Sequence, residues 1–189
     1  MKIIAGKFRG KNLKAPKGLS TRPVPAIVRE ALFNVIGRVD GLRILDLFAG
    51  TGAIGIEALS RGAGSLVSVD SGFEQCLVIK ENLCEFESGI SVLKMDSFRA
   101  IEKLGNDNSK FDFIFADPPY HKGLGLKVVE EVFAQGLLSK YGVMAVTVGE
   151  KDSLPEDNEV FEKAFDRLYC NTRLAIFRLR ERQDNEGEE

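Results

Sequence analysis

Between residues 42 and 149, short apolar runs alternate with stretches whose apolar residues recur at helical spacing. The runs are LRILDL (42–47), SLVSVD (65–70), ISVLKMD (90–96), FDFIFAD (111–117) and GVMAVTVG (142–149). The stretches between them, AIGIEALSRG, FEQCLVIKENLCEF, SFRAIEKLG and KGLGLKVVEEVFAQGLL, read as helices. Strands alternating with helices of this length predict a parallel sheet covered on both faces. After residue 159 the rhythm changes. VFEKAFDRLYC and TRLAIFRLR are separated only by a short turn and predict an antiparallel pair at one edge. The expected architecture is therefore α/β, with seven mostly parallel strands. Ahead of it, IIAGKFRGKNLKAP holds two short β-like pieces around glycines and predicts a small hairpin. PAIVREALFNVIGR predicts a helix from Pro25, burying Ile27, Ala31, Leu32, Val35 and Ile36 on one face. The chain divides into a hairpin-and-helix extension (1–40), a core domain (41–181) and an acidic, apolar-free tail expected to be disordered (182–189).

Composition refines this picture in two places. The chain has 189 residues, 44% of them hydrophobic and 29% charged, enough for one sizeable core. Its net charge of −2 hides an asymmetry: residues 1 to 43 carry ten Lys or Arg against Glu30 and Asp40, or +8, which leaves −10 for the rest. A basic segment on an acidic body suits an anionic partner such as nucleic acid, although many charge runs are only solvated surface. Lys7, Arg9, Lys11, Arg22 and Arg29 are the candidates for RNA backbone contact, and Arg22 and Arg29 could instead fix the helix over the cleft. Cys76, Cys84 and Cys170 are scattered, suit a reducing compartment and read as small core or semi-buried residues without a metal. No apolar run approaches membrane-spanning length, and no export signal is evident at the N-terminus, so a cytoplasmic protein without membrane contact is expected.

The chemistry concentrates where strands end. Gly50, Gly52 and Gly55 form G-x-G-x-x-G between a strand and a helix. Such a loop lets backbone approach a ligand and presents free helix N–H groups. Asp70, ending the next strand, is placed for ribose hydroxyls. Dinucleotide enzymes share this pattern, but Asp46 lies in the strand just before the loop. It would repel a pyrophosphate and could accept bonds from a ligand ammonium. Asp46, Asp70, Asp96 and Asp117 all fall at carboxyl ends of strands, where open α/β sheets bind ligands, and four acids there favour a cationic ligand. Each could equally be a helix N-cap, Asp96 most of all.

The last of these acids opens Asp117-Pro118-Pro119-Tyr120, a segment that can neither continue a sheet nor begin an ordinary helix. The segment resembles the D/N-P-P-Y/F motif typical of methyltransferases that act on an exocyclic or amide nitrogen. The lone pair of such an amine is delocalised, and acceptors aimed at its N–H groups favour the tetrahedral geometry needed for attack. Asp117 supplies a carboxylate and Pro118 a carbonyl, and the two prolines hold the backbone that aims them. Tyr120 can stack on an extruded base. His121, the lone histidine, reads as an exposed loop residue.

With LDLFAGTGAIGIEAL and FIFADPPY in this order, the chain resembles class I methyltransferases that use S-adenosylmethionine, a Rossmann-like fold. KIIAGKFRGKNLKAP, LSTRPVPAIVREALFNVIG, LDLFAGTGAIGIEALSRGA, DPPYHKG and TRLAIFRLR extend the resemblance over residues 2 to 180, to the RsmD family of bacterial 16S rRNA guanine-N2 methyltransferases. The resemblance implies methylation of guanine-966 in 16S rRNA or the 30S subunit by a monomer. It places Asp46, Phe48, Gly50, Thr51, Gly52, Asp70, Asp96, Ser97 and Phe98 around the cofactor, and Asp117, Pro118, Pro119 and Tyr120 at the reacting amine. Val24, Pro25 and Ala26 depart from it, standing where the family commonly has Thr and Asp. Rival readings are a DNA adenine-N6 or protein glutamine-N5 methyltransferase, a non-catalytic RNA-binding assembly factor, and an NAD-dependent enzyme.

Overall fold

The computed structural model describes residues 1–16, 24–86 and 89–181. Arg22 and the acidic tail lie outside the described residues. Seven strands form one sheet: β1 (Arg43–Leu47), β2 (Ser65–Asp70), β3 (Ile90–Lys94), β4 (Phe111–Ala116), β5 (Leu138–Gly149), β6 (Phe161–Tyr169) and β7 (Thr172–Leu179). Their spatial order is β3-β2-β1-β4-β5-β7-β6. β1 to β5 pair in parallel, and β7 lies antiparallel to both β5 and β6. The mostly parallel sheet with a terminal antiparallel pair is the architecture expected from the alternation. The order within that pair is not: β7 inserts between β5 and β6. The burial patterns give the reason. Four consecutive residues of β7, Leu174 to Phe177, are buried, whereas most of β6 is exposed or half-buried. The more apolar strand takes the inner position.

Alternation along the strands splits the core into two layers. Leu45, Leu47, Ile114 and Ala116 face α4 (Ser97–Asn106) and α5 (Leu124–Ala134). Ile44, Leu66, Phe113, Phe115 and Ile176 face α1 (Ala26–Ile36), α2 (Ala53–Ser60) and α3 (Phe73–Asn82). Asp46 shares the parity of Ile44, so the strand directs a carboxylate towards α2. Phe111 and Phe113 fall in opposite layers, and the β4–β5 register shifts between them. Among the described residues, no helix is long and apolar enough to cross a membrane.

The extension departs from expectation in detail. Its hairpin is closed by a single bridge, Lys2 to Asn12, with Ile3, Gly10 and Leu13 completing the backbone bonds. α1 buries Val28, Arg29, Leu32 and Phe33 and leaves Ile27 and Val35 exposed. Apolar residues nearly encircle this helix, so periodicity alone could not select the inner face. The Arg61 guanidinium, 4.4 Å from the Phe33 ring centre, and Phe113, edge-on to Phe33, settle it. Two of the three cysteines, Cys84 and Cys170, are exposed rather than semi-buried, and only Cys76 packs inside.

Candidate active site

The carboxyl ends of β1, β2, β4 and β5 form one rim. Asp46 is 1% exposed, and its Oδ2 accepts the Gly55 amide at 3.1 Å. Burial pushes its carboxyl up to about 8; the Gly55 amide opposes this, and the charges of Asp117 and Asp70 add to it. Gly55 must be glycine because a Cβ there would come within 2.6 Å of Leu66 and 3.1 Å of the Asp46 oxygen. Beyond Leu47 the backbone turns through left-handed φ at Phe48 (55°), Gly50 (57°) and Gly52 (74°). At Phe48 this costs about 1 kcal/mol. The conformation is held by the Phe48 amide donating to Ser97 Oγ at 3.3 Å and by the Phe98 ring lying edge-on at 6.0 Å.

Asp70 takes the Gly50 amide on one oxygen and the Gly72 amide on the other, both at 2.8 Å. A carboxylate has about four acceptor positions, so each oxygen keeps capacity for a hydroxyl. Asp96 caps α4, accepting the amides of Phe98 at 3.0 Å and Arg99 at 3.2 Å. Ser97 is buried beneath Phe48, and the Lys127 ammonium lies 4.7 Å above the Phe98 ring.

Asp117 leaves β4 with its amide bound to the Leu47 carbonyl at 3.4 Å. Thr147, fully buried on β5, donates its hydroxyl to Asp117 Oδ1. Pro118 is buried and Pro119 exposed. Tyr120 turns its hydroxyl inward, 3.5 Å from Thr172 Oγ1 on β7. Burial first, then the Asp117 charge, pushes its phenol up to about 12. His121 is exposed, as expected. Its amide donates to both oxygens of Asp152, which also accepts the Gly149 amide. Asp152 thereby ties the loop after the motif to the end of β5.

Asp46, Phe48, Gly50, Thr51 and Asp117 line a single cleft with Val24, Ala49, Ala53, Ile54 and Phe115. Of the expected site residues, these five are brought together there. Asp70 adjoins through Gly50, and Ser97 and Phe98 back Phe48. The residues missed from sequence are Thr147 and Thr172, whose strands reach the motif only through the fold. The cleft offers a cationic group a buried carboxylate, with the glycine-loop backbone and the Phe48 ring beside it.

The basic arm is clamped beside this site. Glu57 on α2, fully buried, accepts the amides of Ile4 at 2.7 Å and Ala5 at 2.9 Å, and Arg61 at 2.8 Å. Gly6 crosses so close that a Cβ would lie 1.8 Å from the Ser60 carbonyl oxygen. Asn82 binds both backbone groups of Lys14 and donates to the Thr51 carbonyl. Lys7 and Arg9 are exposed at the hairpin tip. Two of the expected RNA contacts are engaged inside the fold. Arg29 is 4% exposed and donates to the Lys2 carbonyl at 3.2 Å, so it fixes the hairpin to α1. The Lys11 ammonium pairs with Glu85 at 3.0 Å and lies near the rings of Phe8 and Phe86, which are tilted against each other with centres 4.4 Å apart.

Residues 1–178 match the family described as Conserved hypothetical protein 95. The chain is 35% identical to the "Putative rRNA methyltransferase YlbH" of Bacillus subtilis, over 95% of this chain and all of that one. It is 32% identical to "Ribosomal RNA small subunit methyltransferase D" of Escherichia coli, over 82% and 78% of the two chains. Among solved structures, the "Putative methyltransferase yhhF" of Escherichia coli superposes with a TM-score of 0.80 at 26% identity, covering 95% of this chain and 97% of that one.

Proposed function

The chain belongs to the Conserved hypothetical protein 95 family, that of the RsmD methyltransferases, and on that premise we propose that it transfers a methyl group from S-adenosylmethionine to the exocyclic N2 amine of a guanine in 16S rRNA, acting as a monomer on the small ribosomal subunit. One observation carries the reading: the buried Asp46 and the D-P-P-Y carboxylate Asp117 line the same cleft. One acid that among the described residues forms no ion pair and one acid at a motif suited to amine methylation thus meet in one cleft.

When bound, S-adenosylmethionine supplies an electrophilic methyl group on a sulfonium. Asp46 and the backbone of Gly50, Thr51 and Gly52 hold its methionine end, Asp70 its ribose, and Asp96, Ser97 and Phe98 its adenine, with Asp96 keeping its capping bonds. Phe48 packs against Phe98 and shields that end from water. Asp117 and the Pro118 carbonyl accept the two N–H groups of the guanine amine and favour the pyramidal nitrogen that attacks. Buried Pro118 keeps this carbonyl in place. Alignment of the amine with the activated methyl carries much of the rate. The proton released from the product nitrogen passes to water, so no dedicated base is needed. Lys7 and Arg9 meet RNA phosphates at the tip of the clamped arm, positioning the substrate without reading its sequence.

The test is transfer of labelled methyl from S-adenosylmethionine to unmodified 30S subunits, followed by nucleoside digestion and mass analysis. N2-methylguanosine at one site is expected. Label in N6-methyladenine of DNA or in glutamine of protein, with none in rRNA, would overturn the assignment of acceptor. Binding of a dinucleotide in place of S-adenosylmethionine would overturn the cofactor.

A further inference from the structure

The hydroxyl groups behind the D-P-P-Y motif take no part in the mechanism above, yet they are the best buried polar side chains near it. Thr147 is wholly inaccessible and Thr172 is 1% exposed. The last β4–β5 pair joins Ala116 to Val146, so the next residues, Asp117 and Thr147, stand side by side just beyond it. Thr147 also pairs with Leu174 of β7, and Gly149 with Thr172, so both hydroxyls are mounted on an interior ladder. A β-branched side chain on such a ladder has little rotational freedom. Asp117 sits one residue beyond the end of β4, with its amide on the Leu47 carbonyl. The Thr147 hydroxyl donates to one of its oxygens, and the Tyr120 hydroxyl, directed to Thr172, closes the group from the other side. Asp46 on β1 and Tyr120 within the motif both couple to the Asp117 charge, and the Thr147 hydroxyl supplies a directional bond from a rigid mount.

We propose that Thr147 is a positioning residue for methyl transfer: its hydroxyl fixes the Asp117 carboxylate in the orientation that faces the acceptor amine, with Thr172 anchoring Tyr120 behind it. The proposal rests on the assignment of Asp117 to the amine. Thr147 lies behind the motif and acts through the groups it bonds there, Asp117 first.

Thr147→Val keeps the shape and removes the donor, and Thr147→Ser restores the donor. Two readouts separate positioning from packing. In carbon-13 titration of the Asp117 carboxyl, Thr147→Val raises the midpoint, because a bond that favours the charged form is gone, and Thr147→Ser returns it towards the parent. In methylation of 30S subunits, Thr147→Val lowers kcat about tenfold, the worth of one hydrogen bond to a charged group, and moves the acid limb of the kcat profile to higher pH. The Kd for S-adenosylmethionine stays within about twofold, and the Ser variant recovers most of the rate. An unchanged Asp117 titration in Thr147→Val overturns the proposal, as does equal loss of kcat in the Val and Ser variants. A parent protein that methylates no rRNA while its Asp117 midpoint still rises in Thr147→Val would sink the assigned acceptor and support the positioning role.

Discussion

The two halves of the rim hold their carboxylates by different means. On the glycine-loop side, Asp46 is bonded by the Gly55 amide, and Asp70 by the amides of Gly50 and Gly72. On the D-P-P-Y side, Asp117 is bonded by a threonine hydroxyl from another strand, and Tyr120 reaches a second threonine on a third. The first half holds its acids with backbone amides of the glycine loop and the turn after β2. The second depends on the identity of particular side chains far away in sequence. The arm repeats the first device: buried Glu57 accepts two consecutive amides of the hairpin. On the proposed function, a backbone-held acid serves binding and assembly here, and a hydroxyl-held acid serves the reaction.

The largest effect is expected at the hydroxyl-held acid. Asp117→Ala removes the charged acceptor from the amine and should lower single-turnover methyl transfer to 30S subunits at least about 100-fold, as loss of one transition-state partner does elsewhere. Cofactor affinity by calorimetry should stay near the parent value, because the backbone-held half is untouched. Retained transfer would break the division of labour between the halves.

Asp46→Asn comes next and should act in the opposite sense on binding and on stability. The Asp46 carboxyl lies near 8 in the folded chain, chiefly through burial, whereas an unfolded Asp ionises near 3.9. Folding therefore takes up a proton there at neutral pH. Its contribution to stability is complete below about pH 4 and is lost as pH rises through about 8. Asparagine keeps the bond from Gly55 without the charge, so the free variant should melt higher than the parent at pH 8, by about 3 °C for each kcal/mol relieved. A cation in the cleft favours the carboxylate. Cofactor binding by the parent should thus release a proton at pH 7 and tighten towards pH 8, measurable by calorimetry in buffers of different ionisation enthalpy. In Asp46→Asn both the release and about tenfold or more of the affinity should disappear. A variant that binds as well as the parent would mean that Asp46 is merely a buried acid.

The same contrast explains what the sequence disclosed. Gly50, Gly52, Gly55, Asp46 and Asp70 were legible because backbone-held acids need glycines at fixed local spacing, and spacing is what a sequence displays. The seven strands were legible because each buried face writes its period into the chain. Thr147 and Thr172 were not, since they meet Asp117 and Tyr120 across 30 and 52 residues and only through the sheet order. That order was itself only half visible: the terminal pair was evident, the insertion of β7 beside β5 was not. Arg29 and Lys11 read as surface cations because a basic residue shows its charge in sequence but not its partner. One proved to be a strut to the Lys2 carbonyl and the other an ion pair with Glu85 beside two aromatic rings.

Glu57→Gln tests whether the arm shares the backbone-held device. Glutamine can accept only one of the two amide bonds and loses the charge opposite Arg61. A cost of about 1–3 kcal/mol is expected, for one amide left without a partner in a buried place, which lowers the melting temperature by several degrees. Intrinsic cofactor affinity should change little, because Asn82 still joins Lys14 to Thr51. Hydrogen exchange should show the amides of Ile4 and Ala5 losing protection first; uniform loss across the sheet would mean that Glu57 supports the core and not the arm.

The smallest effect belongs to the tip. Lys7 and Arg9 are exposed, and among the described residues neither forms an ion pair, whereas Lys11 and Arg29 are engaged within the fold. Reversing both tip charges should weaken RNA binding a few-fold at low salt and reduce the salt dependence by about one unit of slope for each phosphate no longer neutralised. Reversing Lys11 should instead lower stability, since it puts like charge against Glu85 beside the Phe8–Phe86 pair. The two kinds of variant thus separate cations that face a partner from cations that build the arm. Equal loss of RNA affinity at Lys11 and at the tip, with melting unchanged in both, would return Lys11 to the RNA surface and leave the arm held by Glu57, Arg29 and Asn82.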